Sequence, residues 1–200
     1  MVDIESVAKE VTFYLSYLAD IKREVQLYEQ LYCVSENVEV LSATAREPFK
    51  IIRKSMFVSI LTRMAAVLDR PDFGKRDNFS LSFLAKKYQQ HLNAELVQHQ
   101  KDIEDRFEAL GASQFRNKFI AHNDYNAVFG KEDYTHTIEE GDLTELLNSM
   151  IEYCLILLDA IPDSVGISLH AVPYELSPED DGFELVRRLR ASISDDELCQ

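Results

Sequence analysis

The sequence predicts an all-α protein: an up-and-down bundle of four to five helices with a short C-terminal appendage. Three observations predict it. Apolar residues recur every three or four positions over long stretches, the period of a helix with one buried face. Six Gly and five Pro in 200 residues are too few for a turn-rich β fold. No apolar run approaches the ~20 residues of a membrane span, so the 46% of apolar residues is left for a packed core. Residues 1–162 read as the bundle and 163–200 as a C-terminal extension, a short strand or arm plus an acidic-tailed helix.

The first helix follows from Ile4, Val7, Val11, Tyr14, Leu18, Ile21, Val25 and Tyr28, which step by three and four without a break behind Asp3 as N-cap. So narrow a stripe suits packing along one antiparallel helix of the same chain, or a dimer seam; intramolecular packing is the favoured reading. Residues 34–47 are polar and read as loop. Pro48 opens a second helix at its first turn, running to about Asp69. That helix looks apolar nearly all round, which makes it the central buried one. Arg63 inside it then needs an acidic partner or a cleft. Pro71 and Gly74 end it, and 71–79 reads as a polar loop. Ser80 or Asn78 caps a third helix over 81–98, and a fourth covers 101–122 with a weak point at Gly111. Residues 123–140 read as a long loop. Asp142 with Glu145 resembles a capping box and opens a fifth helix to about Ile161, stopped by Pro162. Residues 167–172 suit a short strand or arm, and Ser177-Pro178 leads a last helix to about Arg190.

The net charge of −14 is unlike that of a general nucleic-acid binder. One segment departs from it: residues 46–87 carry 10 basic and 4 acidic side chains, and Lys50, Arg53 and Lys54 share one helix face. That face is either a solvated balance for acidic neighbours or a local phosphate track. Cys33, Cys154 and Cys199 are scattered and odd in number. Without a secretion signal at the start of the chain they read as free thiols of a cytoplasmic protein. His91 and His99 lack further ligands at metal spacing, His136 and His170 fall in irregular segments, and no phosphate loop or nucleophile motif occurs. No metal, cofactor or membrane is expected.

The segment that carries chemistry is Arg116-Asn117-Lys118-Phe119-Ile120-Ala121-His122-Asn123-Asp124. Arginine grips a phosphate through its charge and its fixed fork of donors. Histidine exchanges a proton near neutral pH. On a regular helix six residues advance about 600°, which leaves the two side chains about 120° apart and ~9 Å apart along the axis. The residues alone therefore leave two readings open. In one, His122 caps a helix C-terminus and Arg116 makes a structural ion pair. In the other, the helix ends near His122, or a second subunit completes a site.

This segment, late in a helical chain and just before its last long core helix, resembles that of the HEPN superfamily. The string R-N-K-F-I-A-H-N-D is most similar to the abortive-infection AbiU-type branch, in which it follows a buried helix ending in an aspartate, here Asp69. The resemblance covers residues 1–162 and implies a dimeric bundle. It also implies a metal-independent endoribonuclease of a phage-defence or toxin-like system. His122 would be general acid or base, Arg116 would hold the scissile phosphate, and Asn117 would orient the histidine or the substrate. Lys50, Arg53, Lys54 and Lys118 are the candidate RNA contacts. RNA, a second copy of the chain, and an antitoxin or regulatory protein are the expected partners. The alternative is a non-catalytic HEPN-like module that binds RNA, a nucleotide or a protein partner.

Overall fold

The computed structural model describes residues 4–73, 76–111, 138–161 and 174–197. Among them the chain is an all-α bundle with one small ladder, and its axis is α1 (Ile4–Tyr32). Val11, Tyr14, Leu18, Ile21 and Val25 of the predicted stripe are all buried in the main core. The stripe therefore faces the protein's own core rather than a second copy. Tyr14 donates its hydroxyl to the Val67 carbonyl at 2.9 Å, so even its polar tip is satisfied inside.

α2 (Ser35–Val67) returns antiparallel to α1, with Tyr32 against Phe49, Tyr28 against Phe57 and Tyr14 against Val67. Its length corrects two expectations. Residues 35–44 are helical, not loop, although only Asn37 and Leu41 are buried there. Ala45 is extended (φ −161°, ψ 84°) and breaks the helix, and Pro48 then falls in the first turn after the break, where its missing N–H costs nothing. Nor is α2 the most buried helix. Its buried residues after the break begin at Ile60, while Ile51 is 65% exposed. Apolar residues spread around a helix predict burial only where neighbours exist to cover them, and α1, which packs against both α2 and the helix of residues 142–159, is the covered element. Arg63 does find its acid: it pairs with Glu24 and lies 4.7 Å from the centre of the Tyr17 ring.

Asp72–Phe73 and Arg76–Asp77 form a two-residue antiparallel ladder, β1 and β2. The third helix predicted over 81–98 is two pieces. α3 (Leu81–Lys87) starts at Ser80, whose hydroxyl accepts from the Phe83 N–H. A 3-10 turn at Gln89–His91 follows, and α4 (Ala94–Ala109) opens at Asn93, whose side chain accepts from the Leu96 N–H at 2.8 Å. Asn93 is an N-cap inside a run of leucine spacing, and the cap decides the boundary. α4 closes at Gly111, which takes the left-handed conformation (φ 66°) that favours glycine. The helix predicted over 101–122 is thus interrupted there, and residues 112–137 lie outside the described residues.

α5 (Asp142–Asp159) packs antiparallel to α4: His99 meets Ser149, and Arg106 meets Glu145 and Asp142. The capping box expected of Asp142 and Glu145 does not form. Gly141, left-handed at φ 88°, is the cap residue; the Asp142 carboxylate accepts from the Glu139 N–H at 2.8 Å and lies 3.8 Å from Arg106, and Glu145 pairs with Arg106. The helix ends at Asp159 before Pro162, which with the arm at 167–172 lies outside the described residues.

α6 (Gly182–Glu197) begins later and runs further than predicted. Ser177-Pro178 lies in a turn closed by the Asp180 N–H to the Ser177 carbonyl, and Asp181 is the cap, accepting from the Glu184 N–H at 2.9 Å. The end of α1 holds this region: Gln30 receives the Gly182 N–H and donates to Asp181, and Gln26 receives the Leu176 N–H. A Cβ on Gly182 would come within 2.8 Å of the Gln30 Cβ, so only glycine allows the approach. Val186 closes a second apolar cluster with Leu31, Tyr32 and Leu41.

Candidate functional site

Arg116, Asn117, Lys118 and His122 fall within residues 112–137, outside the described residues. The two described ends of that segment are informative. The antiparallel pairing of α4 with α5 puts Gly111 and Gly141 at the same end of the bundle. The C-terminal end of α1 is there too, because Glu29 accepts from the Gly141 N–H at 3.0 Å and from the Thr144 hydroxyl at 3.1 Å. The described residues on either side of the segment, Gly111 and Ile138–Gly141, therefore lie at one end of the bundle.

That end also carries a basic row. After the break at Ala45, Arg46, Lys50, Arg53 and Lys54 are all exposed on α2, with Glu47 loosely paired to Lys50 at 3.9 Å. Lys50, Arg53 and Lys54 line one groove, as their spacing predicts. Arg53 also borders a second groove with Ile138, Glu139 and Glu140, the first described residues after the segment. The rest of the basic stretch does not join this row. Arg63 is paired with Glu24, and Lys87 is bound to Glu10 near the start of α1, about 27 Å away along the helix from Tyr28. Asp69 is exposed at that far end, its carboxylate accepting from the Arg70 N–H. One basic segment in the sequence is thus two separate groups in space, and of these two the 46–54 group lies at the bundle end where Gly111 and Ile138–Gly141, the described residues flanking 112–137, are found.

Four residues that the sequence does not assign to the site belong to this end: Arg46, Tyr28, Tyr32 and Phe57. For Arg46 and Phe57 the signal is in the spacing. Arg46, Lys50 and Lys54 step by four, as do Phe49, Arg53 and Phe57, so a basic and an aromatic line run side by side on one helix.

Glu29 is half-buried, and burial raises the pKa of its carboxyl above the ordinary 4.5, outweighing the Gly141 and Thr144 hydrogen bonds that lower it. The sign of the consequence is fixed. Above pH 4.5 the folded chain holds this proton more tightly than the unfolded chain, so stability falls as pH rises through the raised pKa. Glu29→Gln keeps an oxygen acceptor and removes the charge. Its thermal midpoint should gain on the wild type between pH 4.5 and 7; a gap constant across that range would contradict the assignment.

The other candidates are structural. A His99 ring nitrogen lies 2.9 Å from the Ser149 hydroxyl, and the ring packs edge-on to Tyr153. His91 lies in the 3-10 turn and His99 in α4, and among the described residues no group of three or more His, Cys, Asp or Glu gathers as for a metal. His136 and His170 lie outside the described residues, as does Cys199. Cys33 and Cys154 are free, and burial pushes the Cys154 thiol well up, away from reactivity. Among the described residues no helix is long and apolar enough to cross a membrane.

An all-α bundle with an Arg–Asn…His segment between its last two core helices is a HEPN-like helical module. The chain belongs to the AbiU2 family of HEPN proteins, whose family model matches residues 13–182. The match begins within α1 and ends at the first residue of α6, so it spans the segment and the basic row together. Comparison with curated proteins and with solved structures gave no match.

Proposed function

We propose that this chain is a metal-independent endoribonuclease of an abortive-infection or toxin-like system, cytoplasmic and active as a homodimer. Besides the family membership, one observation supports the reading: the described ends of the 112–137 segment emerge at the bundle end that bears Lys50, Arg53 and Lys54. A phosphate track beside a phosphate-gripping arginine and a proton-exchanging histidine is the arrangement that RNA cleavage by the 2′-hydroxyl requires. His122 moves the proton of the 2′-hydroxyl or of the leaving oxygen. Arg116 holds the scissile phosphate and stabilises the charge that develops on it. Asn117 orients the histidine or the substrate, and Lys118 joins the α2 row in neutralising flanking phosphates. The products carry a 2′,3′-cyclic phosphate and a 5′-hydroxyl. Such an enzyme needs restraint in its own cell, so an antitoxin or regulatory protein is a natural partner.

Expression of the wild type beside His122→Ala tests the reading. Wild type should degrade cellular RNA and arrest growth, and the variant should do neither. Equal RNA integrity and growth in both cultures would end the nuclease reading.

A further inference from the structure

The basic row lies on an aromatic run that phosphate binding does not need. The Tyr32 and Tyr28 rings are 5.4 Å apart between centroids, and Tyr28 and Phe57 are 5.7 Å apart and only 31° from parallel. The Arg53 guanidinium stands 5.8 Å from the Tyr32 ring. Tyr28 and Phe57 reach the surface in an open groove of about 390 Å3 that Glu47, Lys50, Ile51, Arg53 and Lys54 also line. That volume lies within the ~300–1,000 Å3 range of sites that hold small organic molecules.

Charge decides where a strand would run. Residues 46–54 carry four exposed cations and the single acid Glu47 in a chain of net charge −14. The groove on the other side of Arg53, about 250 Å3, has Glu29, Glu139 and Glu140 in its wall and repels phosphate. A polyanion would therefore be steered to the groove lined by Lys50, Arg53 and Lys54, where its backbone would meet those cations and its bases Tyr28, Phe57 and Ile51. Lysine and arginine interleaved with aromatic rings is the chemistry of single-strand recognition, since ring faces of bases are accessible only when unpaired.

We infer that this groove is a base-binding site for an unpaired nucleotide of RNA, with Tyr28 and Phe57 as its stacking surface. The inference rests on the reading of the chain as an RNA-acting protein and narrows its substrate to single strands at this face. It does not depend on cleavage.

The test uses the full-length His122→Ala protein, which leaves RNA uncut, and three labelled probes of equal length: a single-stranded oligoribonucleotide, the same strand with abasic positions, and its duplex. The base-bearing single strand should bind about tenfold more tightly than either other probe, the range that stacking one base supplies. Phe57→Leu, and independently Tyr28→Leu, should collapse that ratio toward one while the salt dependence stays. Lys54→Gln should weaken all three probes and reduce the salt dependence. Equal binding of the abasic and base-bearing strands by the unaltered groove overturns the site whatever the variants do. So does an acidic oligopeptide that binds as tightly as the single strand, for the face would then be a protein-docking surface. If wild type cleaves RNA while the ratio is one, the base site fails and the nuclease reading stands. If the ratio holds while wild type cleaves nothing, the nuclease reading fails and the site stands.

Discussion

Leu18→Asp should abolish cooperative folding, and Leu18→Ala should lower stability by about 2–5 kcal/mol, the cost of truncating a buried leucine. Leu18 is completely buried at the middle of α1, within the cluster that Tyr14, Ile21, Leu61 and Met150 share. A carboxylate placed there has no partner and cannot reach water, and an unpaired buried charge is among the few changes that remove most of a small protein's stability. A dimer seam would behave differently: the same aspartate would dissociate the oligomer and leave folded monomers. Circular dichroism with sedimentation separates the outcomes. A folded monomer carrying Leu18→Asp would contradict the burial of the stripe.

The second large effect concerns Arg116 and His122. His122→Ala should slow RNA cleavage by about 10²- to 10⁴-fold, the usual contribution of a general acid or base. Arg116→Ala should cost about 10²- to 10³-fold, as loss of a preorganised charge-stabilising donor does. Side chains six apart on a regular helix would diverge by about 120°, so the proposed site needs either a helix end near His122 or a second subunit, and in the second case arginine and histidine come from opposite subunits. Mixing the two inactive variants then has a definite result. Exchanged heterodimers regain one intact site of two, and an equimolar mixture recovers about a quarter of wild-type activity. Cleavage by each wild-type subunit alone would leave the mixture as inactive as its parts.

What the sequence made legible follows from which residues a helix had to bury. The α1 stripe was readable because nearly every third or fourth residue was apolar and the face from Val11 to Val25 is covered. The start of α2 was not, because only Asn37 and Leu41 of residues 35–44 are buried and the rest reads like solvent-exposed loop. The break between α3 and α4 was hidden because Leu92 and Leu96 keep helical spacing across it, while the Asn93 cap that decides it is a single residue. Asp142 and Glu145 had the right spacing for a capping box, but Glu145 finds its partner in Arg106, 39 positions away, which no local pattern announces. At the functional end the basic residues were legible as a helix face, but the Tyr28–Phe57 contact joins α1 to α2 across 29 positions and needed the fold. The same holds for the division of the basic segment: linear counting adds Lys87 to Lys50, and the antiparallel turn of the chain sends them to opposite ends.

The ends of the RNA fragments test the central claim most directly. Purified wild type, incubated with single-stranded RNA in excess chelator, should leave fragments with 2′,3′-cyclic phosphate and 5′-hydroxyl termini, and His122→Ala should leave the RNA whole. Fragments with 3′-hydroxyl and 5′-phosphate termini, or cleavage that stops when the chelator is added, would contradict it.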